Sequence, residues 1–297
     1  MNKLIKQAFT LIELLVVIAI IGILSGLIVV SMGGMTEKAT IAKAQVFSNS
    51  LRNSLMLNLI SEWKFDGSGI ANGLTASIVY TQDSWGNNPG TTIIGAPLVQ
   101  SGSSCVYGSC LSFNGDDYVV VGDKENLSFS NNIFTFSFWV NPTISTNLGI
   151  IGKTGGPWEY AIYSRSTDLQ FYAWSTSGNV VYSNSCIVDI NKWNHFVWTA
   201  NGSNSSLYKN GSKCGGTQAK TGNNLADTVL PFEIGRSGDG AGERFMNGLI
   251  DEVRVFNIAA SISQAKESYY LGLNNLLASG SITFEEYSGR IDSLAKL

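Results

Sequence analysis

A carboxylate in an apolar run, a scatter of acids among strand-like segments, four cysteines and one histidine are the residues equipped to do chemistry in this chain. Glu13 is the sole ionisable side chain between Phe9 and Met35. A charge in lipid costs on the order of 3 kcal/mol unless a cation meets it, so Glu13 calls for a partner. Hydrolysis of a glycosidic bond needs two carboxylates facing one space. No strand-like run offers such a pair; Asp251 and Glu252 are adjacent, and strand neighbours point to opposite faces. Any Ser-His-Asp scheme depends on His195, whose alternating run favours a packed, structural imidazole. Asp116 and Asp117 follow Asn114-Gly115 and read as a solvated acidic turn.

The cysteines are Cys105, Cys110, Cys186 and Cys214. With no Cys-x-x-Cys and a single histidine, zinc is disfavoured and disulfides are expected. Three pairings are possible. Cys105 with Cys110 closes a short loop, and Cys186 with Cys214 ties two strand regions together. Trp85 and Trp158 stand in Gly/Pro-rich loops, where an exposed indole stacks on a sugar face and a covered one packs against the domain edge. Trp63, Trp139, Trp193 and Trp198 fall in strands and read as core, while Tyr160, Tyr172 and Tyr182 are candidates to line an open sheet face.

The elements that position these residues change character along the chain. From Phe9 to Met35 the run is long enough, at about 1.5 Å per residue, to span a hydrocarbon core of about 30 Å as a helix. Lys3 and Lys6 precede it and belong on the cytoplasmic side, which puts the rest of the chain outside. A cleavable secretory signal has a shorter apolar region with its cleavage site after it, so this segment reads as an anchor. Met35, Ala39, Ala42, Val46, Leu51 and Leu55 continue a helical beat through Leu57. Short alternating runs then follow from Leu59 to about Asn257, with turn signals at Asn114-Gly115 and Asn210-Gly211, and they predict an all-β antiparallel sandwich over 59–260. Ser261-Ile-Ser-Gln264 opens a helix to about Ala278, Ser279-Gly280 stops it, and Thr283-Phe-Glu-Glu286 opens a second, giving a helical hairpin over 261–297. A charged fraction of only 14 % with 32 glycines suits an extracellular β protein, and the formal net charge of −3 gives no footprint for nucleic acid.

Two stretches resemble known families. Lys6-Gln-Ala-Phe9-Thr-Leu-Ile-Glu13-Leu14, followed by Val16 to Leu24, resembles the cleavage and methylation signature of type IV pilins and type II secretion pseudopilins. The resemblance implies a leader at 1–8, cutting between Ala8 and Phe9 by a prepilin peptidase, methylation of the new Phe9 amine, and a helix over 9–58 with its transmembrane half at 9–35. It also implies polymerisation with other pilin subunits, in which Glu13 neutralises the Phe9 amine of a neighbour. The family usually has glycine before the cut, so Ala8 is a departure that bears on the efficiency of cleavage more than on cleavage itself. The second resemblance rests on Trp63-Lys-Phe-Asp66-Gly, Leu111-Ser-Phe-Asn-Gly-Asp-Asp-Tyr118, Phe134-Thr-Phe-Ser-Phe-Trp-Val140, Trp193-Asn-His-Phe-Val197, Leu207-Tyr-Lys-Asn-Gly211 and Gly248-Leu-Ile-Asp-Glu-Val-Arg-Val-Phe256. In this order they are similar to laminin G-like jelly rolls of the concanavalin A-like lectin and glucanase superfamily.

That second resemblance implies a jelly roll that binds sugars or proteins, and a structural calcium joining its first and last strands, here at Asp66 and Asp251. Calcium takes hard oxygen ligands, so backbone carbonyls would complete such a shell. The run 276–287 is also similar to the small SHOCT helical motif, which implies an assembly or docking role. Together these readings give a subunit anchored once in the bacterial cytoplasmic membrane, then carried on an extracellular pilus, with its sandwich recognising a glycan or a surface protein. A pseudopilin of a secretion machine in the periplasm is the alternative, and a surface-tethered glycan-active enzyme the third; catalytic residues are expected to be absent.

Overall fold

The computed structural model describes residues 14–16, 18–20, 53, 55–67, 72–156, 158–238 and 242–295. The chain divides into two compact units, Met1–Ser50 and Leu51–Leu297. In the first, residues 14–16 and 18–20 are helical. Ala8, Phe9 and Glu13, and most of the run expected to cross a membrane, lie outside the described residues. Among the described residues no helix is long and apolar enough to cross a membrane.

The second unit is a sandwich. Its strands in chain order are β1 Leu59–Trp63, β2 Thr92–Ile94, β3 Leu98–Ser101, β4 Ser109–Asn114, β5 Tyr118–Gly122, β6 Ile133–Pro142, β7 Gly149–Lys153, β8 Tyr160–Ser164 and β9 Asp168–Trp174. The second half supplies β10 Val180–Ile187, β11 Asn194–Asn201, β12 Asn204–Lys209, β13 Ser212–Lys213, β14 Gln218–Ala219, β15 Phe232–Ile234, β16 Arg236–Gly238, β17 Glu243–Phe245 and β18 Asn247–Phe256. One sheet runs β13-β12-β11-β6-β18-β4-β3, with β1 on β18 and β14 on β12; the other runs β10-β9-β8-β7-β15-β5-β2. Strand pairs within both sheets are antiparallel, as are those of the separate β16–β17 hairpin.

Alternation along β6 shows how the sequence makes the layers. Phe134, Phe136, Phe138 and Val140 enter the core between the sheets, where they meet Phe171, Trp198 and Tyr160. Thr135, Ser137 and Trp139 face the other way. That outer face is covered by α1 Ile262–Ala278 and α2 Phe284–Ala295. Ser261 caps α1 with the full reciprocal box: its hydroxyl accepts from Gln264 N–H, and Gln264 Oε1 accepts from Ser261 N–H. Gly272 occupies mid-helix because a Cβ there would collide with the Trp139 indole. In this tail Leu276 and Ile282 are buried, Leu277, Ile291 and Leu294 are partly so, and Phe284 is exposed.

The cysteines pair as Cys105–Cys110 and Cys186–Cys214. The second bridge joins β10 of one sheet to the residue following β13 of the other.

Candidate functional site

The outer face of the seven-stranded sheet is built in two halves. Over β7 and β8 lies the β16–β17 hairpin, close enough that a Cβ on Gly149 would strike the Arg244 carbonyl and one on Gly152 would touch Ser237. Ala161 continues this small-residue path on β8. Over β9 and β10 nothing comparable lies among the described residues, and Ser183 and Ser185 are exposed there.

At the boundary between the halves stand four aromatic side chains. Trp158 contacts Trp174 (centroids 5.8 Å apart), Trp174 contacts Tyr172 (5.6 Å), and Tyr172 contacts Tyr163 (5.8 Å). Period-two alternation sends Tyr163, Tyr172 and Trp174 outward while Tyr160, Ile162, Phe171 and Ala173 go to the core. Trp158 and Tyr172 retain part of their surface; Tyr163 and Trp174 are largely covered. The Arg244 guanidinium lies 4.7 Å over the Tyr163 ring and closes that end. At the Trp158 end, a cavity of about 230 Å³ opens between the Gly155-Gly156 turn and the hairpin, lined also by Thr154, Arg236 and Glu243. Arg236 is held there by Glu233 (2.9 Å) and by Glu243. Burial pushes Glu233 up to about 7 despite that cation.

Trp158 is fixed by its neighbours in the chain. Lys153 ends β7 with no exposed surface, and its Nζ donates to Glu159 Oε1 (2.8 Å), Asp123 Oδ1 (3.0 Å) and Ser128 Oγ (2.8 Å). Glu159 Oε1 also accepts from the Thr228 amide (2.6 Å) and hydroxyl (2.8 Å). Both ends of the Trp158 loop are thus clamped.

Trp85 stands elsewhere. Asp83 organises its loop by accepting from the amides of Glu62, Trp85, Gly86 and Asn88, and Trp85 is left 48 % exposed. Tyr160 and Tyr182, expected as candidates for an open face, are in the core. Asp117 is buried rather than solvated, because it accepts from the amides of Ala96 (2.6 Å) and Asn114 (3.0 Å); Asp116 is exposed as expected.

Asp66, three residues past β1, and Asp251, midway along β18, both bind the loop closed by Cys105–Cys110. Asp251 Oδ2 accepts from the amides of Val106 (2.8 Å) and Tyr107 (3.1 Å), and Asp66 Oδ1 from Ser109 (2.7 Å). Asp251 Oδ1 is buried without a hydrogen-bond partner. Burial first, and then the Glu252 charge, raises Asp251 well above the carboxylate range; burial also raises Asp66. Asp251 and Glu252 do not face opposite ways. Glu252 takes a left-handed φ of +52° at a register break in β18, and this bulge turns both carboxylates toward the Cys105–Cys110 loop. Glu252 binds Arg254, which also donates to Glu62 Oε1 at 2.7 Å. Burial works against Glu62, but Arg254 and the Ser84 hydroxyl outweigh it and hold the carboxyl below its ordinary value. These residues border a groove of about 290 Å³ with Lys64, Tyr107 and α1. Among the described residues no three His, Cys, Asp or Glu side chains are placed to hold a metal ion.

His195 is sealed beneath α1, its ring 4.9 Å from Trp139 and 6.1 Å from Tyr269 between centroids, with Nε2 2.9 Å from Ser137 Oγ. Burial, aided by Arg254, lowers it to about 3, so the imidazole is neutral.

The concanavalin A-like lectin/glucanases superfamily profile matches residues 113–266, over half of the chain, and the prokaryotic N-terminal methylation motif matches residues 5–29. No curated protein sequence matches the chain. Among solved structures, the chain is similar to the binding domain of Paraclostridial Mosquitocidal Protein 1, with 17 % identity and a TM-score of 0.57 over 74 % of this chain and 53 % of that one. It is similar to domain 4 of AbnA, an extracellular arabinanase from Geobacillus stearothermophilus in complex with arabinotriose, with 19 % identity and a TM-score of 0.54 over 71 % and 97 %. The Botulinum neurotoxin serotype D binding domain gives 15 % identity and a TM-score of 0.53 over 75 % and 53 %. The chain thus spans about half the length of the two toxin binding domains, and these likenesses show a shared fold.

Proposed function

The chain belongs to the concanavalin A-like lectin/glucanases superfamily and carries a prepilin-type methylation motif, and on that premise we propose that it is a minor pilin or pilin-like surface protein whose sandwich binds a glycan for adhesion. The observation that carries the reading is the aromatic row Trp158–Trp174–Tyr172–Tyr163 on the outer sheet face. Trp158 and Tyr172, the two members that keep exposed surface, offer apolar edges and faces to the C–H surface of a sugar and are backed by the covered Trp174 and Tyr163, while Gln170, Ser183 and Ser185 on neighbouring positions offer neutral hydrogen-bonding groups. The arabinotriose complex of domain 4 of AbnA supports a saccharide as ligand for this fold.

The head acts as a binding module and not an enzyme in this reading. Glu62 and Glu252 are both ion-paired to Arg254, and His195 is sealed within the fold. The motif at 5–29 supports processing by a prepilin peptidase between Ala8 and Phe9, methylation of Phe9, assembly through Glu13, and passage from the cytoplasmic membrane to a pilus. A structural calcium fits at Asp66 and Asp251 in one respect: the buried, unpartnered Oδ1 of Asp251 is a hard oxygen in need of a cation or a proton. Such an ion would neutralise an acid pair that burial leaves short of positive charge.

The test is a glycan screen with the full chain in detergent, with calcium and with a chelator. The reading requires saturable binding to a defined saccharide, and calcium binding requires a higher melting temperature with the ion present. Absence of binding to any glycan, together with capture of secretion-machine components, would favour a pseudopilin.

A further inference from the structure

The loop closed by Cys105–Cys110 touches two parts of the fold that meet nowhere near each other in sequence. On its inner side three amides, those of Val106, Tyr107 and Ser109, point at Asp251 on the last strand of the sandwich and at Asp66 just beyond the first. On its other side, the carbonyls of Cys105 and of the two residues that lead into the loop receive donors from the turn between the C-terminal helices and from Trp193. The Ser281 hydroxyl, in the turn between α1 and α2, donates to the carbonyls of Ser103 (2.8 Å) and Cys105 (3.3 Å), and the Trp193 indole N–H donates to Ser104 (3.2 Å).

The disulfide itself belongs to the helical layer. Cys105, Val106 and Cys110 are buried in one apolar cluster with Trp139, Trp193, Tyr269, Leu273, Leu276 and Ile282. The beginning of α1 rests on different ground: Ala260 and Ala265 pack with Leu55, Leu59, Val197, Tyr208 and Phe256. The helical pair therefore has two anchorages, one at the start of α1 on the sheet, and one at the α1–α2 turn on the disulfide loop.

The cross-link spans five positions, so it dictates the loop's conformation locally. With it closed, the amides that satisfy Asp251 and the carbonyls that receive Ser281 face opposite ways from one short segment. With it open, holding that shape costs backbone entropy, and the contacts to Asp251 and Ser281 are no longer preset.

We propose that oxidation of Cys105 and Cys110 locks the α1–α2 turn onto the sandwich, so that docking of α2 and the second half of α1 is conditional on the chain having reached an oxidising compartment. Closure is a thiol–disulfide exchange: the two thiols give up two electrons and two protons to a disulfide-bearing oxidant, which leaves as a dithiol, while the Sγ–Sγ bond forms.

Hydrogen exchange of the full chain in detergent tests this. In a Cys105→Ser, Cys110→Ser double variant, amides of Leu273–Ala278 and of α2 should exchange about tenfold faster or more, while β6, β11 and the first turns of α1 keep wild-type protection. Ser281→Ala, which leaves the disulfide intact, should shift the same amides in the same direction by a smaller factor, and it carries the test if the double variant does not fold. Unchanged protection at Leu273–Ala278 and α2, or equal loss across the sandwich and both helices, would overturn the proposal.

Discussion

Lys153 has no exposed surface, and the carboxylates it pairs with decide where Trp158 stands. Breaking a buried pair by removing one partner costs about 3–5 kcal/mol, because the remaining charge is stranded. Lys153→Met is expected to lower the urea midpoint accordingly and to expose Trp158 to iodide quenching; an unchanged midpoint would mean that Glu159 is satisfied without it. Glu233 titrates in the folded chain near 7, above its unfolded value, so the folded state holds a proton that the unfolded state has lost between about 4.5 and 7. Its contribution is therefore full below the unfolded value and declines as pH rises through 7. Glu233→Gln should remove that decline, seen as a flatter melting temperature against pH than wild type, with the gain at pH 8 and little change at pH 4.5. The bulge at Glu252 is also decided at this scale. Strict alternation is the wrong rule there, although Ile250-Asp251-Glu252-Val253 carries its own warning, since two polar residues between two core residues fit a strand only if one is extra.

Elements are legible in the sequence where one chemical rule governs them. Alternation marks β6, β8 and β11, and reciprocal capping by Ser261 and Gln264 marks α1, because local sequence dictates both. The aromatic row is half visible: Tyr172 and Trp158 stand out as candidates, but Tyr163 and Trp174 cannot be assigned a face before strand pairing is known. β2, β3 and β7 escape a sequence reading, being short or rich in glycine, and so does the β16–β17 hairpin, whose seat depends on Gly149 and Gly152 lacking side chains far away in sequence. Gly149→Val is expected to lift the hairpin at a cost of about 1–3 kcal/mol, detected as faster exchange at Ser237 and Arg244. Retained protection there would mean that the hairpin is held by its arginines and not by the fit.

For the whole molecule, a methylation motif at 5–29 precedes a superfamily sandwich within 51–297, and the proposed function joins assembly through the first to recognition by the second. Glu13→Ala is expected to permit cleavage before Phe9 but to block entry into filaments, read by immunogold labelling of sheared surface fibres; normal incorporation would refute charge pairing as the basis of assembly. Sugar binding by the aromatic row, as proposed above, is tested by calorimetric titration, with the saccharide that the screen selects, of three full-length variants in detergent. Tyr172→Ala and Trp158→Ala should each weaken binding about fivefold to tenfold while Trp85→Ala leaves it unchanged, since Trp85 stands on a separate loop. Undiminished affinity in Tyr172→Ala and Trp158→Ala would contradict the claim and move recognition away from this face.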